Sequence, residues 1–268
     1  MLTLMAVHAH PDDEVLGTGG VLARSAAEGI RTVLVTCTNG EQGDGPGGAK
    51  PGAEGHDNAA VRAIRLEELK TSAAILGIEH VELLGYHDSG MEGWDANHAA
   101  EAFWNVPVAE SAAKLIALME QYQPQVVVTY DENGGYGHPD HIQAHRITVA
   151  AIEATGIPQK FYYTAIPKSG IREMWAFLKD SGMEAPGMDF DNPPEFGTAD
   201  ELVTTVVEVA PFAKQKVKAL EAHASQGENI FFLRMPEEAQ QMMFGRESFV
   251  RVRGDGPLPE DDLFAGLR

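Results

Sequence analysis

The chain has 268 residues, 44% of them hydrophobic and 22% charged, with 28 glycines, 15 prolines and one cysteine. Such a chain can bury a sizeable core as one large domain, and its composition excludes disordered, collagen-like and coiled-coil architectures. Its 40 acidic residues against 20 basic ones give a formal charge of -20, which opposes binding to nucleic acid and to anionic membranes, so neither is expected as a partner.

In chain order, the first apolar run spans residues 2–8. No basic stretch precedes it, and no apolar run reaches the roughly 20 residues of a membrane span, so a cytoplasmic protein is expected. Strands are predicted at 2–8, 32–38, 80–84, 125–130 and 160–165, alternating with helices at 15–28, 59–76, 108–122 and 141–155. The alternation predicts right-handed βαβ units and an α/β, Rossmann-like domain: a mostly parallel sheet with helices on both faces. Cys37, in the second run, has no partner cysteine and reads as a small buried side chain. Residues 40–58 carry seven glycines and two prolines and form no regular element; the segment is either a lid or a plain insertion. A stretch rich in Pro, Gly and Asp at 183–198 separates a catalytic core, 1–182, from residues 183–268. The latter read as a C-terminal elaboration of the same domain: a strand, a helix near 211–224 and a short terminal segment.

Ligands of open parallel sheets bind outside the carboxyl ends of the strands, and four of those ends are polar here. They carry His10-Pro11-Asp12-Asp13-Glu14, Thr38-Asn39-Gly40-Glu41, Tyr86-His87-Asp88-Ser89 and residues 131–141. Imidazole and carboxylate together suit a borderline metal such as zinc. In a turn from strand to helix, Asp12 and Asp13 point in different directions, so one can bind metal while the other faces the water; alternatively, one of them caps the helix. The second cluster, His138-Pro139-Asp140-His141, supplies a further ligand. Zinc on two histidines and one carboxylate keeps a position open for water, which is chemistry for amide hydrolysis, and Asp12, Tyr136 and His138 are candidates for base, acid and oxyanion donors.

The pair Ala9-His10-Pro11-Asp12-Asp13-Glu14 and Gly137-His138-Pro139-Asp140-His141 resembles the PIG-L/LmbE-like zinc-dependent de-N-acetylases, over roughly the first 155 residues. The resemblance implies that His10, Asp13 and His141 bind the metal and that Asp12 is the general base. It further implies that His138, oriented by Asp140, serves the oxyanion or the leaving amine, and that Tyr136 helps to polarise the carbonyl. Residues 131–141 are similar to the mycothiol branch, which contains a deacetylase of N-acetylglucosaminyl-inositol and an amidase of mycothiol S-conjugates. Segments around Arg65 and Asp88 look like those that contact sugar and inositol hydroxyls there, so both are expected substrate contacts. His223-Ala224-Ser225-Gln226 and Phe231-Phe232 look like the end of this branch, nearer its amidase.

The implied activity is zinc-dependent cleavage of the amide on the glucosamine nitrogen of a small N-acyl-glucosaminide. The acyl group stays open between acetyl and a cysteinyl type. The same ligands accept Fe²⁺, and the assembly state stays open, a homo-oligomer included. The rival reading is a non-catalytic sugar or nucleotide binding module with a structural metal. Gly17-Thr18-Gly19-Gly20 follows a first strand as a dinucleotide fingerprint would, but without its spacing.

Overall fold

The structure, a computed structural model, describes residues 1–182, 189–192 and 195–268. Its strands are β1 (Thr3–His8), β2 (Arg31–Thr38), β3 (His80–Tyr86), β4 (Val126–Thr129), β5 (Lys160–Ala165), β6 (Thr205–Glu208) and β7 (Arg246–Arg253). They form one sheet in the order β3-β2-β1-β4-β5-β7-β6, parallel from β1 to β5, with β7 antiparallel to both of its neighbours. The helices are α1 (Asp13–Ala27), α2 (Asn58–Leu76), α3 (Val108–Tyr122), the single turn α4 (Gly134–Gly137), α5 (Pro139–Thr155), α6 (Lys168–Asp180), α7 (Ala213–Ala222), α8 (Gly227–Arg234) and α9 (Glu237–Phe244).

Every residue of β1 and β4 is buried, as central strands covered on both faces require. Met5 and Val7 pack on one face against Leu115 and Met119 of α3 and Ala144 and Ile147 of α5. Leu4 and Ala6 pack on the other against Val21 and Leu22 of α1 and Leu69 of α2. The fold is thus the expected single α/β domain. Helices α1 and α5 start at Asp13 and Pro139, ahead of the apolar rhythm that begins at 15 and 141. The first turn of a helix is set by its end chemistry: Pro139 needs no hydrogen-bond acceptor at that position, and Asp13 and Glu14 suit the positive end of α1.

Beyond β5 the structure holds more than expected. Helices α6, α8 and α9 are additional, and the terminal segment contains β7, which inserts between β5 and β6. Of the break expected over 183–198, residues 183–188 and 193–194 lie outside the described residues. No helix among the described residues is long and apolar enough to cross a membrane.

Gly20 explains the glycines of α1. The N–H groups of Gly20 and Val21 donate to Glu247 of β7, each at 2.7 Å, and Lys216 of α7 neutralises that carboxylate at 2.6 Å. A Cβ on Gly20 would lie 2.5 Å from Val209, so these glycines admit the C-terminal elements rather than a nucleotide.

The C-terminal tail is pinned by Glu260, which accepts from Lys160, from Tyr162 at 2.8 Å and from Arg251 at 2.7 Å. Lys160 is fully buried, and Glu260→Ala would leave its charge uncompensated. A loss of about 3–5 kcal/mol is expected, read as a lower urea midpoint. Burial opposes the charge on Glu260, but Lys160, Tyr162 and Arg251 outweigh it and hold its carboxyl below the ordinary glutamate range. Its contribution is therefore complete above that range and is lost as pH falls through the lowered value.

Candidate active site

The strand order reverses between β1 and β4: the chain leaves β1 towards β2 and leaves β4 towards β5 on the opposite side. The crevice at this switch point receives the segments after both strands. His10, Asp12 and Asp13 follow β1, while Tyr136, His138, Asp140 and His141 follow β4. Asp88 and Ser89 reach it from the end of β3.

Asp13 lies between two imidazoles. Its Oδ2 is 3.3 Å from His10 Nδ1 and 3.4 Å from His141 Nε2, and it accepts from the His10 N–H and the Tyr130 hydroxyl, each at 2.8 Å. Burial raises the proton affinity of Asp13, but His141 and His10 outweigh it and hold the carboxyl well below its ordinary range. The His141 Nδ1–H is committed to the Gly134 carbonyl at 3.1 Å, and its ring stacks on Tyr130 at 4.1 Å. Its Nε2 is buried and makes no hydrogen bond. Gly134, at φ 63°, is required for this approach, because a Cβ there would sit 2.7 Å from that of His141.

His10 is held at its other edge. Its Nε2 is 3.2 Å from Asp140 Oδ2 and 3.6 Å from Asp88 Oδ1. Burial disfavours a charge on His10, but Asp88, Asp13 and Asp140 outweigh it and raise its pKa well above the ordinary value. A proton therefore competes with any cation for this ring. The sequence reading gave Asp140 to His138; its carboxylate instead bonds His10 and both the N–H and hydroxyl of Ser89. Asp140 touches His138 only through its backbone N–H, which donates to Nδ1 at 3.1 Å. That bond makes His138 the N-cap of α5 and places the proton of the neutral ring on Nε2. Burial, reinforced by His10 and His141, depresses its pKa to about 2, so His138 stays neutral.

Two sets of side chains bring metal-donor atoms within 4.8 Å of one another: His10, His138 and His141, and His10, Asp88 and Asp140. The cluster as a whole can hold a cation. His138 is the weakest ligand of these, since its Nδ1 is an acceptor and its Nε2 carries the proton. Asp140 and Asp88 fit orientation better, because each is hydrogen-bonded to backbone and faces the His10 edge opposite Asp13. Asp13 belongs to neither set, but its Oδ2 stands between His10 Nδ1 and His141 Nε2, and the second hydrogen-bonding edge of each imidazole is already fixed.

Asp12 makes no side-chain bond of the capping kind, which removes the helix-cap alternative. Its backbone stands at φ 109°, ψ −28°, a strained conformation for a residue with a Cβ. Burial raises its pKa, Arg65 opposes the rise and Asp13 adds to it. Arg65 is a correction. Expected to contact substrate, it is buried, with Nη2 3.1 Å from Asp12 Oδ2 and its guanidinium donating to the carbonyls of Pro11 and Gly40 at 2.5 and 2.8 Å. Asp88 does border an open cavity of about 560 Å³, together with Glu41, Gln42, His56, His87, Asp95 and Glu101. Tyr136 is half exposed, its ring edge-on to His141 at 5.0 Å.

Sequence reasoning did not find Tyr130, Ser89, Ser72 or the role of Glu14. Tyr130 directly follows β4, the neighbour of β1, and a buried tyrosine hydroxyl must find a partner, which was the available signal. Cys37 is buried and its thiol is pushed far up, so it is inert.

The profile of the PIG-L family, the GlcNAc-PI de-N-acetylases, matches residues 5–152. The chain belongs to this family. This de-N-acetylase is 41% identical to the 1D-myo-inositol 2-acetamido-2-deoxy-alpha-D-glucopyranoside deacetylase of Acidothermus cellulolyticus, over 99% of this chain and 95% of that one. The likeness thus continues past residue 155 to the C-terminus, and this relative is a named deacetylase rather than an amidase. Among solved structures, the N,N'-diacetylchitobiose deacetylase of Pyrococcus horikoshii superposes with a TM-score of 0.62 at 20% identity, over 94% of this chain and 84% of that one. GalB, the 4-carboxy-2-hydroxymuconate hydratase of Pseudomonas putida, gives 0.61 at 17% identity, over 96% and 98%. At these identities the likeness shows the fold alone, and a hydratase on the same fold means that the reaction must be read from the side chains. The PIG-L de-N-acetylase described here is an amide-hydrolysing enzyme, which removes the binding-module alternative.

Proposed function

We propose that the enzyme is zinc-dependent and removes the acetyl group from the glucosamine nitrogen of a small, uncharged N-acetylglucosaminide such as N-acetylglucosaminyl-inositol. The observation that carries the reading is the buried His141 Nε2, without a hydrogen bond and aimed at the Asp13 carboxylate beside His10. His10, Asp13 and His141 would hold the metal. Bound zinc would lower the pKa of a water towards neutrality and polarise the carbonyl; the same ligands accept Fe²⁺.

The chain's own groups supply the rest. Asp12 takes the proton of the attacking water, and burial raises its basicity towards that task. Arg65 fixes the Asp12 carboxylate from behind. His138 presents Nε2–H to the oxygen that gains charge, and the half-exposed Tyr136 adds a hydroxyl donor. As the C–N bond breaks, the proton held by Asp12 is available to the amine, and the products are an amino sugar and acetate.

The aglycone lies in the cavity beside Asp88. Glu41, Asp88, Asp95 and Glu101 line it, and among the described residues no lysine or arginine does, so it accepts hydroxyls and repels phosphate. Acetate release measured with zinc-loaded enzyme is expected from N-acetylglucosaminyl-inositol and to be at least about tenfold slower, as kcat/KM, when the inositol carries a phosphate. Release from neither substrate would defeat the proposed activity. Equal rates would defeat the aglycone assignment alone.

A further inference from the structure

The strained backbone of Asp12 needs something to hold it, and the holder is Glu14. Glu14 is fully buried, and its Oε2 accepts the Asp12 N–H at 2.9 Å. Its Oε1 accepts the Ser72 hydroxyl of α2 at 2.5 Å and faces His223 Nε2 at 2.8 Å. His223 stands just beyond α7, at its C-cap, well outside the 5–152 segment matched by the family profile. It too is fully buried, and its Nδ1 makes no hydrogen bond. An orphaned ring nitrogen in the interior is costly, so packing alone does not account for an imidazole at this position.

We infer that His223 is a positioning residue for the reaction: through Glu14 it fixes the peptide of Asp12 and thereby aims the proposed general base. The inference rests on the assignment of Asp12 as that base. Three elements that are distant in sequence meet here, the β1–α1 turn, the C-terminal part of α2 and the end of α7, and the carboxylate joining them is bonded to the base's own N–H. The charge balance agrees. Burial disfavours a proton on His223, but Glu14 and then Asp12 outweigh it and raise its pKa; Arg65 is the cation opposing them. With Oε1 engaged by His223 and Ser72, the Glu14 carboxylate offers the Asp12 N–H a fixed acceptor at Oε2.

The consequence is separable from substrate binding and from metal binding. His223 touches neither His10, Asp13 nor His141 among the contacts described, and it does not line the cavity beside Asp88. Loss of its hydrogen bond would let Glu14 turn away, and misplacement of a reacting group by about 1 Å costs about 10²-fold.

The test is steady-state acetate release by the full-length zinc-loaded protein carrying His223→Phe or His223→Gln, with zinc content measured on each. His223→Phe is expected to lower kcat by about 10²-fold with KM within about twofold and zinc unchanged. His223→Gln keeps a donor for Glu14 and is expected to restore kcat to within about tenfold of wild type. In an Asp12→Asn background, where the base is already absent, His223→Phe is expected to add less than about twofold. Wild-type kcat in His223→Phe, equal losses in both variants, or full additivity with Asp12→Asn would overturn the inference. If His223→Phe does not fold, the Gln variant and Glu14→Gln, which weakens the acceptor of the Asp12 N–H, carry the same comparison. Inactivity of the wild-type protein would instead refute the function on which the inference rests.

Discussion

Asp12→Asn is expected to lower kcat for acetate release by about 10²- to 10⁴-fold while zinc content and KM stay near wild-type values. Asparagine keeps the size of the side chain and an oxygen for the Arg65 guanidinium, which lies 3.1 Å from Asp12 Oδ2. It also tolerates the positive φ of this position better than alanine does. What it removes is the carboxylate basicity proposed to take a proton from water. The strain at φ 109° is itself an argument for function, because the fold tolerates it at a residue that makes no capping bond. Kinetics and metal analysis on the same preparation decide the matter: undiminished kcat removes Asp12 as the base, and lost zinc makes it a ligand instead.

His141→Ala is expected to abolish zinc retention on dialysis and, with it, measurable turnover. The side chain supplies Nε2, a buried atom that makes no hydrogen bond in the structure, and its ring is fixed by the Gly134 carbonyl and by stacking on Tyr130. Tyr130→Phe gives a graded control. It deletes the hydroxyl that donates to Asp13 at 2.8 Å and should weaken zinc affinity by about 10- to 100-fold, the usual effect of removing a support behind a ligand. His138→Ala should behave differently again: its Nδ1 already accepts the Asp140 N–H, so zinc should remain while kcat falls. If His138→Ala loses zinc as His141→Ala does, the set His10, His138 and His141 is the metal site and the oxyanion assignment fails.

Much of this was legible in the sequence. The short β-branched runs and the longer apolar rhythms specified β1 to β5 and α1, α2, α3 and α5, because central parallel strands are buried on both faces and read as continuous apolar segments. The two His-Pro-Asp clusters announced the site, since carboxylates and imidazoles directly after strands have no packing purpose. Less was legible beyond residue 165. The strand β7 alternates buried and half-exposed residues, but nothing local says that it enters the sheet antiparallel between β5 and β6. Residues of the 40–58 segment border the cavity beside Asp88, and Asp44 of the same segment bonds Gln226, contacts that its glycine content could not reveal.

The sequence by itself determined the residue types of the site, the strand ends that bear them, the α/β class and the net acidity of the chain. Each of these follows from chemistry within a few residues along the chain. Only the tertiary structure decided the partners: Asp140 for His10 rather than for His138, Arg65 for Asp12 rather than for substrate, and His223 for Glu14. These pairs join groups 130, 53 and 209 residues apart, and their choice depends on distances of about 3 Å set by the packing of whole helices against the sheet. Local periodicity fixes which face a side chain occupies, but which of several nearby charges it meets is settled only when the layers close and the buried groups must all be satisfied.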